Sequence, residues 1–185
     1  MSYSNIKVII SLSILVGILF TNCTNKTEPD RIEVGQFLME IPSKYVSINI
    51  DSVPSELGGL NDWHTSISES YTYGNNYIFV HHISDSCGAE PVDLINKANQ
   101  FDSLFYQIYP VGEWEVDSII EKDFGHVLVG QGILEWTFGD YHLRYLLLSL
   151  EGRSFYVQVV GINSSSQEIE DDINSVIQLM KIEKE

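Results

Sequence analysis

The sequence predicts an α+β domain in which an antiparallel β-sheet carries helices packed on its faces. Three observations predict it. Short turn sequences separate extended runs through residues 114–162, as a meander requires. Two stretches, near 92–106 and 165–180, repeat apolar residues at three- and four-residue steps, the spacing of a helix with one buried side. No internal repeat or low-complexity tract interrupts this order.

From Ile32 onward the chain reads as strand. Phe37, Met39 and Ile41 alternate with Leu38 and Glu40, Pro42 ends the pairing, and Tyr45, Ile48 and Ile50 begin a second extended piece. Residues 51–62, with Pro54 and Gly58-Gly59, read as a loop. Residues 63–71 and 77–83 flank Thr72-Tyr73-Gly74-Asn75-Asn76, whose residue types tolerate positive φ and therefore predict a β-hairpin. Pro91 suits the first position of a helix, where its missing N–H has no partner to lose. The predicted helix covers 92–106, with Val92, Ile95, Ala98, Phe101, Leu104, Phe105 and Ile108 on its apolar side.

Beyond Pro110 and Gly112, strands over 114–121 and 126–136 flank a tight turn at Lys122-Asp123-Phe124-Gly125. Thr137-Phe138-Gly139-Asp140 reverses the chain into 141–150, and Glu151-Gly152-Arg153 reverses it again into 154–162. Gly130 and Gly132 inside one strand signal a bulge or the close packing of a helix over the sheet. In the last element Ser165 and Glu168 have the spacing of a capping box. Glu170, Asp171 and Asp172 follow near the positive end of the helix dipole, a position explained by helix stability and solvation. Ile169, Ile173, Val176, Ile177 and Met180 form the expected buried stripe, with Lys181 and Lys184 near the C-terminal end.

The N-terminus carries an address. Val8 to Phe20, thirteen almost entirely apolar residues behind Lys7, would reach about 20 Å as a helix, short of the roughly 30 Å hydrocarbon core of a bilayer. A short apolar core behind a basic start is a signal-peptide pattern. Phe20-Thr21-Asn22-Cys23 resembles the lipobox of bacterial lipoproteins, with Phe20 and Asn22 standing where the common form has Leu and a smaller residue. The resemblance implies cleavage after residue 22 and a lipid on Cys23, placing the protein in the bacterial cell envelope, at the periplasmic or outer surface of a membrane. The polar residues 23–30 then form a tether, and 31–185 a single domain.

Removing residues 1–22, which hold one Lys and no acid, leaves 163 residues and takes the net charge from −16 to −17. That length suits one core. The charge repels nucleic acid and anionic head groups and favours solubility. Of two cysteines, a lipidated Cys23 leaves Cys87 as a single thiol, so no intramolecular disulfide forms.

The opening "FLMEIP" at 37–42, a hairpin, a helix, a run of meander strands, "GRSFYVQVVG" at 152–161 and a closing amphipathic helix occur in an order that resembles the PsbP-like fold. Photosystem accessory proteins share that fold with a Ran-binding protein and with bacterial DcrB-type lipoproteins. The resemblance covers nearly all of 31–185, with Tyr45 where Trp is more usual after the first strand. It implies an antiparallel sheet with helices on its faces and an accessory or binding role. It assigns no functional residue.

The spacings that mark common chemistries, G-x-S-x-G, H-E-x-x-H, C-x-x-C, the Walker loop and the EF-hand loop, are missing from the sequence. No cofactor is implied. His81 and His82 alternate on one strand and point to opposite faces. A hydrolase or metal-binding reading rests on His64 with Glu69, or on Cys87. Tyr71, Tyr73 and Tyr77 gather around the hairpin turn and are candidate anchors for a partner. The leading expectation is a lipid-anchored, non-catalytic accessory or binding domain, with a protein partner in the envelope and no nucleic acid; a structural subunit of an envelope complex is the third reading.

Replacing Cys23 with Ser should release the protein from the membrane fraction into the soluble one. Retention of the variant in the membrane fraction would show an uncleaved anchor instead.

Overall fold

The structure, a computed structural model, describes residues 29–34, 36–53, 57, 65–83, 87–108, 112–136, 139–150, 153–162 and 164–182. The expected leader at 1–22, the lipidation residue Cys23, most of the tether, and His64 lie outside the described residues. No described helix is long and apolar enough to cross a membrane.

Seven antiparallel strands form the main sheet: β3 (Val46–Ser47), β4 (Thr65–Tyr73), β5 (Asn76–Ile83), β6 (Gly112–Lys122), β7 (Gly125–Trp136), β8 (Gly139–Leu150) and β9 (Arg153–Ile162). Their spatial order is β3-β4-β5-β9-β8-β7-β6. A smaller antiparallel sheet is built from β1 (Arg31–Val34), β2 (Phe37–Glu40) and β10 (Met180–Ile182), with β2 in the middle. Helices α1 (Pro91–Ile108) and α2 (Ser166–Gln178) complete the described elements. The expected α+β class, antiparallel sheet with helices on its faces, is what the chain forms.

Tight turns set the register. Tyr73 pairs with Asn76 around a two-residue loop, Gly74-Asn75, in which Gly74 takes φ +60°. The strand therefore runs two residues past the Tyr71 boundary expected from sequence. Lys122 pairs with Gly125 and Leu150 with Arg153, so β6–β7 and β8–β9 also turn within two residues. The second extended piece after Pro42 is reduced to β3, followed by a 3-10 turn at Ile50–Ser52 whose first N–H groups are capped by the Asn49 side chain at 3.0 Å from the Asp51 nitrogen.

One face of the main sheet packs on α1. Leu94, Ala98 and Phe101 bury against Phe79, Leu128, Leu143, Tyr145, Leu147, Tyr156 and Val160. Ala98 and Phe101 of the expected stripe are buried, whereas Val92 and Ile95 are 61% and 38% exposed and Leu94 takes the inward position in the first turns; the side chains of Leu104, Phe105 and Ile108 lie outside those described. The four-residue step from Leu94 to Ala98 and the three-residue step to Phe101 trace the arc that the sheet covers, whereas Val92 lies on the far side. Gly130 also departs from expectation. The bulge lies in β6, between Val116 and Ser118, and Gly130 instead makes room for the Tyr145 ring, which a Cβ there would overlap. Tyr145 in turn stacks on Trp114 at 4.4 Å and 12°. It is a neighbouring strand's aromatic, not a helix, that requires the missing side chain.

The opposite face packs on α2 and the small sheet together. Ile169, Ile173, Val176 and Ile177 meet Ile78, Val80, Leu146, Leu148, Phe155, Val157 and Val159, while Phe37, Met39 and Met180 close the remaining end. The capping box forms as expected: the Ser165 hydroxyl accepts from the Glu168 N–H, and the Glu168 carboxylate accepts from the Ser165 N–H. The helix stops at Gln178, earlier than its apolar stripe suggested. Met180 pairs with Met39 and Lys181 with Leu38 in the small sheet, so both residues belong to a strand. A backbone hydrogen-bonding partner in β2 outcompetes one more helical turn.

Asp172 corrects the reading of the acidic cluster as solvated. It is 2% exposed. Its carboxylate accepts from the Tyr45 hydroxyl at 2.6 Å and from Asn76 Nδ2 at 3.4 Å, and it pairs with the Lys44 ammonium. Asn76 also accepts from the Ser164 hydroxyl. These bonds join α2, the segment between β2 and β3, and the β4–β5 turn. Burial, reinforced by the carboxylate, holds the Tyr45 phenol well above its ordinary range, so it stays a donor.

Two outcomes follow from this packing. Asp172→Ala should lower stability by about 2–3 kcal/mol, the scale of charged hydrogen bonds lost from a buried site, read as a lower urea midpoint at unchanged slope; an unmoved midpoint would show that the carboxylate does not tie these elements. His81, fully buried under α1, has its imidazole pushed down to about 4 by desolvation, against a smaller upward pull from Gln158. The folded state keeps it neutral while the unfolded chain protonates below about 6.5. This contribution to stability is complete above about pH 6.5 and is lost as the pH falls from there toward 4, by on the order of 3 kcal/mol. Urea titrations at pH 7 and pH 4.5 should show His81→Leu losing less stability on acidification than the parent; parallel losses would rule this out.

Candidate functional site

Register reveals a site that alternation within any single strand hides. On the α2 face, successive cross-strand rows are apolar at one end of the sheet: Ile120, Val127, Leu148 and Phe155 in one row, Val129, Leu146 and Val157 in the next, where β6 places Ser118. The following row reads Glu115, Gln131, Arg144 and Val159, and the one beyond it Glu113, Ile133, His142 and Gly161. β7 and β8 thus change from apolar to mostly polar at the same level, and β6 changes one row earlier, at Ser118.

The covers of this face explain the change. The small sheet lies over the apolar end, where Phe37 meets Phe124 edge-on at 5.1 Å and Phe155 at 6.4 Å. Helix α2 rests on β8 and β9, and it seats closely at its start because Gly161 has no side chain to strike Ile169. At the corner formed by β6, β7 and the start of β8, α2 borders the sheet on one side only, through Ser166, Ile169 and Glu170. There the surface is concave, a cleft of about 240 Å³ lined by Glu113, Glu115, Gln131, Ile133, His142, Arg144, Ser166 and Ile169.

Charge is distributed unevenly across this cleft. Glu113 and Glu115 stand on β6, the sheet edge, while His142 and Arg144 stand on β8; with strands about 4.8 Å apart, the two sides are separated by about 10 Å across β7. The Arg144 guanidinium is 15% exposed and committed on both sides: Nη1 pairs with Asp117 in the β6 bulge and Nη2 lies 3.4 Å from Glu170 of α2. Arg144 is therefore a clamp between sheet and helix. Glu115 accepts from the Gln131 amide. Glu113 has no ion pair among the described residues. The arrangement presents the half-buried Ile133 beneath two carboxylates, with the wholly buried Ile169 behind it, which suits a cation carried on an apolar stem.

The sequence candidates fall elsewhere. Tyr71 and Tyr73 share the α2 face but differ in depth: Tyr71 is buried and donates to the Glu69 carboxylate, while Tyr73 is 51% exposed and packs 6.0 Å from Tyr45. Burial first, and then Glu69, keep the Tyr71 phenol far above its ordinary range. Tyr77 lies on the other face, stacked on Phe79 at 6.1 Å. The structure thus does not bring the three rings into one platform, and only Tyr73 is exposed. Lys44 sits 5.1 Å from its ring centre.

Cys87 is a half-buried free thiol whose sulfur lies 3.4 Å from the Ser154 hydroxyl. Its N–H donates to Ser154 at 3.0 Å and its carbonyl accepts from the Ser149 hydroxyl at 2.7 Å. These bonds fasten the approach to α1 onto the β8–β9 hairpin. Glu69 is used by Tyr71, and its proposed companion His64 is outside the described residues. His82 faces away from His81, edge-on to Phe155 at 4.9 Å. Among the described residues no three His, Cys, Asp or Glu side chains converge as a metal ligand set.

Glu113, Glu115, Gln131, His142 and Arg144 were not singled out from sequence. A signal for them exists: once the two turns are read as two-residue loops, the pairing brings polar residues of adjacent strands onto one inner face at one level.

No family model matches the chain, and no curated protein matches it in sequence. Solved structures do. Cyanobacterial PsbP (CyanoP) from Synechocystis sp. PCC 6803 aligns over 87% of this chain and 96% of its own, at 6% identity and a TM-score of 0.59. The Saccharomyces cerevisiae Ran-binding protein Mog1p aligns over 84% of this chain and 96% of its own, at 9% identity and a TM-score of 0.53. The chain has the PsbP-like fold that its order of elements resembles.

Proposed function

We propose that the protein is a lipid-anchored, non-catalytic accessory domain of the bacterial cell envelope that works by binding a protein partner. The observation that carries the reading is the open corner of the sheet, where three strands present polar groups in register on a face otherwise packed with apolar side chains. A concave corner of a sheet with exposed charged groups at its mouth is suited to contact with a partner. The signal segment ending at Cys23 supports the anchor, and a PsbP-like fold shared with a Ran-binding protein supports a binding role. The strongly acidic balance of −16 argues against nucleic acid as the partner.

The test is a photo-crosslinking amino acid at position 113 of the full chain in cells, with position 99 on the outer side of α1 as the control. A discrete protein adduct is expected from 113 and not from 99. No adduct from 113, or the same adducts from both positions, would overturn the reading.

A further inference from the structure

We infer that the cleft beside β6 takes the side chain of a lysine or arginine presented by the partner protein. This deepens the accessory reading above and rests on it. The cleft and a basic side chain are complementary in three respects. First, the floor is apolar: the half-buried Ile133 lies between the two flanking strands, with the wholly buried Ile169 of α2 behind it, so a chain of methylenes is accommodated where a compact polar group would be stripped of water without compensation. Second, the charge at the mouth is negative. Arg144, the single cation among the cleft's Lys and Arg residues, already has two carboxylates, Asp117 and Glu170, and these lie beside the cleft in addition to Glu113 and Glu115. The local balance therefore favours an incoming cation, and Glu113 has no competing ion pair among the described residues.

Third, the position favours a polypeptide as the source. Glu113 and Glu115 belong to β6, which ends the seven-stranded sheet, so the cleft opens at an edge beside which another chain can run. The β6 bulge and the acids along this strand discourage a second copy of the same acidic chain from pairing there. They do not discourage a basic segment.

The experiment is a titration of the full chain in detergent, followed by amide ¹⁵N–¹H spectra, with N-acetyl-arginine methylamide and N-acetyl-lysine methylamide as probes and N-acetyl-norleucine methylamide as the uncharged control. Shifts are expected at the amides of Glu113, Glu115, Gln131, Ile133 and His142 with the cationic probes alone. Glu113→Gln with Glu115→Gln should weaken binding about fivefold, the scale of one or two exposed charge pairs. Glu113→Lys should abolish it, and Glu121→Gln, at the far end of the same strand, should leave it unchanged. Both glutamates are exposed, and retained spectral dispersion verifies the fold of each variant.

Shifts scattered over the acidic surface, an equal response to the norleucine probe, or an unaffected double variant would each overturn the inference. Failure here with crosslinking from position 113 intact removes only the basic side chain as ligand. Failure of the crosslink removes the accessory reading itself.

Discussion

The structure depends on the register of the meander. A slip of one residue along β7 or β8 would exchange the two faces of the sheet, placing Leu146 and Leu148 beneath α1 and Tyr145 and Leu147 beneath α2. Two-residue turns prevent this on both sides of the strand pairs, and the β6 bulge accommodates one additional residue without displacing the rest. Because the register holds, every strand offers one face to each cover. The cleft at this corner is also a product of register, since its polar groups come from three consecutive strands and meet only through pairing.

The sheet's order adds a second constraint. β9 pairs with β5 across the whole α1–β8 excursion, so the central pair of the sheet is closed late in the chain. Ile162 then bonds to the Asn75 carbonyl at 3.0 Å, which brings the β4–β5 turn to the place where α2 begins. Asp172 completes that junction. Buried carboxylates are costly unless they are paired and bonded; here the carboxylate has a phenol, an amide and an ammonium around it. Its neighbours come from just before β3 and from β5, and it stands on α2 itself, so it specifies how three segments meet.

The site combines the two constraints. Arg144 plays on the open side of α2 the part that Asp172 plays on the closed side, linking helix to sheet through charges that are themselves satisfied. The clamp leaves Glu113 and Glu115 as the groups facing outward at the edge. Those acids serve the isolated domain as well, because charged residues and a bulge on an edge strand resist unwanted pairing.

Part of this structure follows from neighbours along the chain. The hairpin turn at Gly74, the capping box of Ser165 and Glu168, Pro91 at the head of α1 and the buried stripe of α2 are all set within a few residues, and all were legible. The order of these elements was enough to point to the fold. The rest depends on residues that only folding brings together. Met180 reads as helix until β2 supplies a strand partner, Asp172 reads as solvated until Tyr45 and Asn76 close over it, and Val92 reads as buried until the sheet selects Leu94 instead. Glu113, Gln131 and Arg144 are ordinary polar residues in their own strands. They become a site because pairing places them in rows and because α2 borders the group on one side, at Arg144, leaving Glu113 and Glu115 exposed; local sequence does not encode where a cover ends.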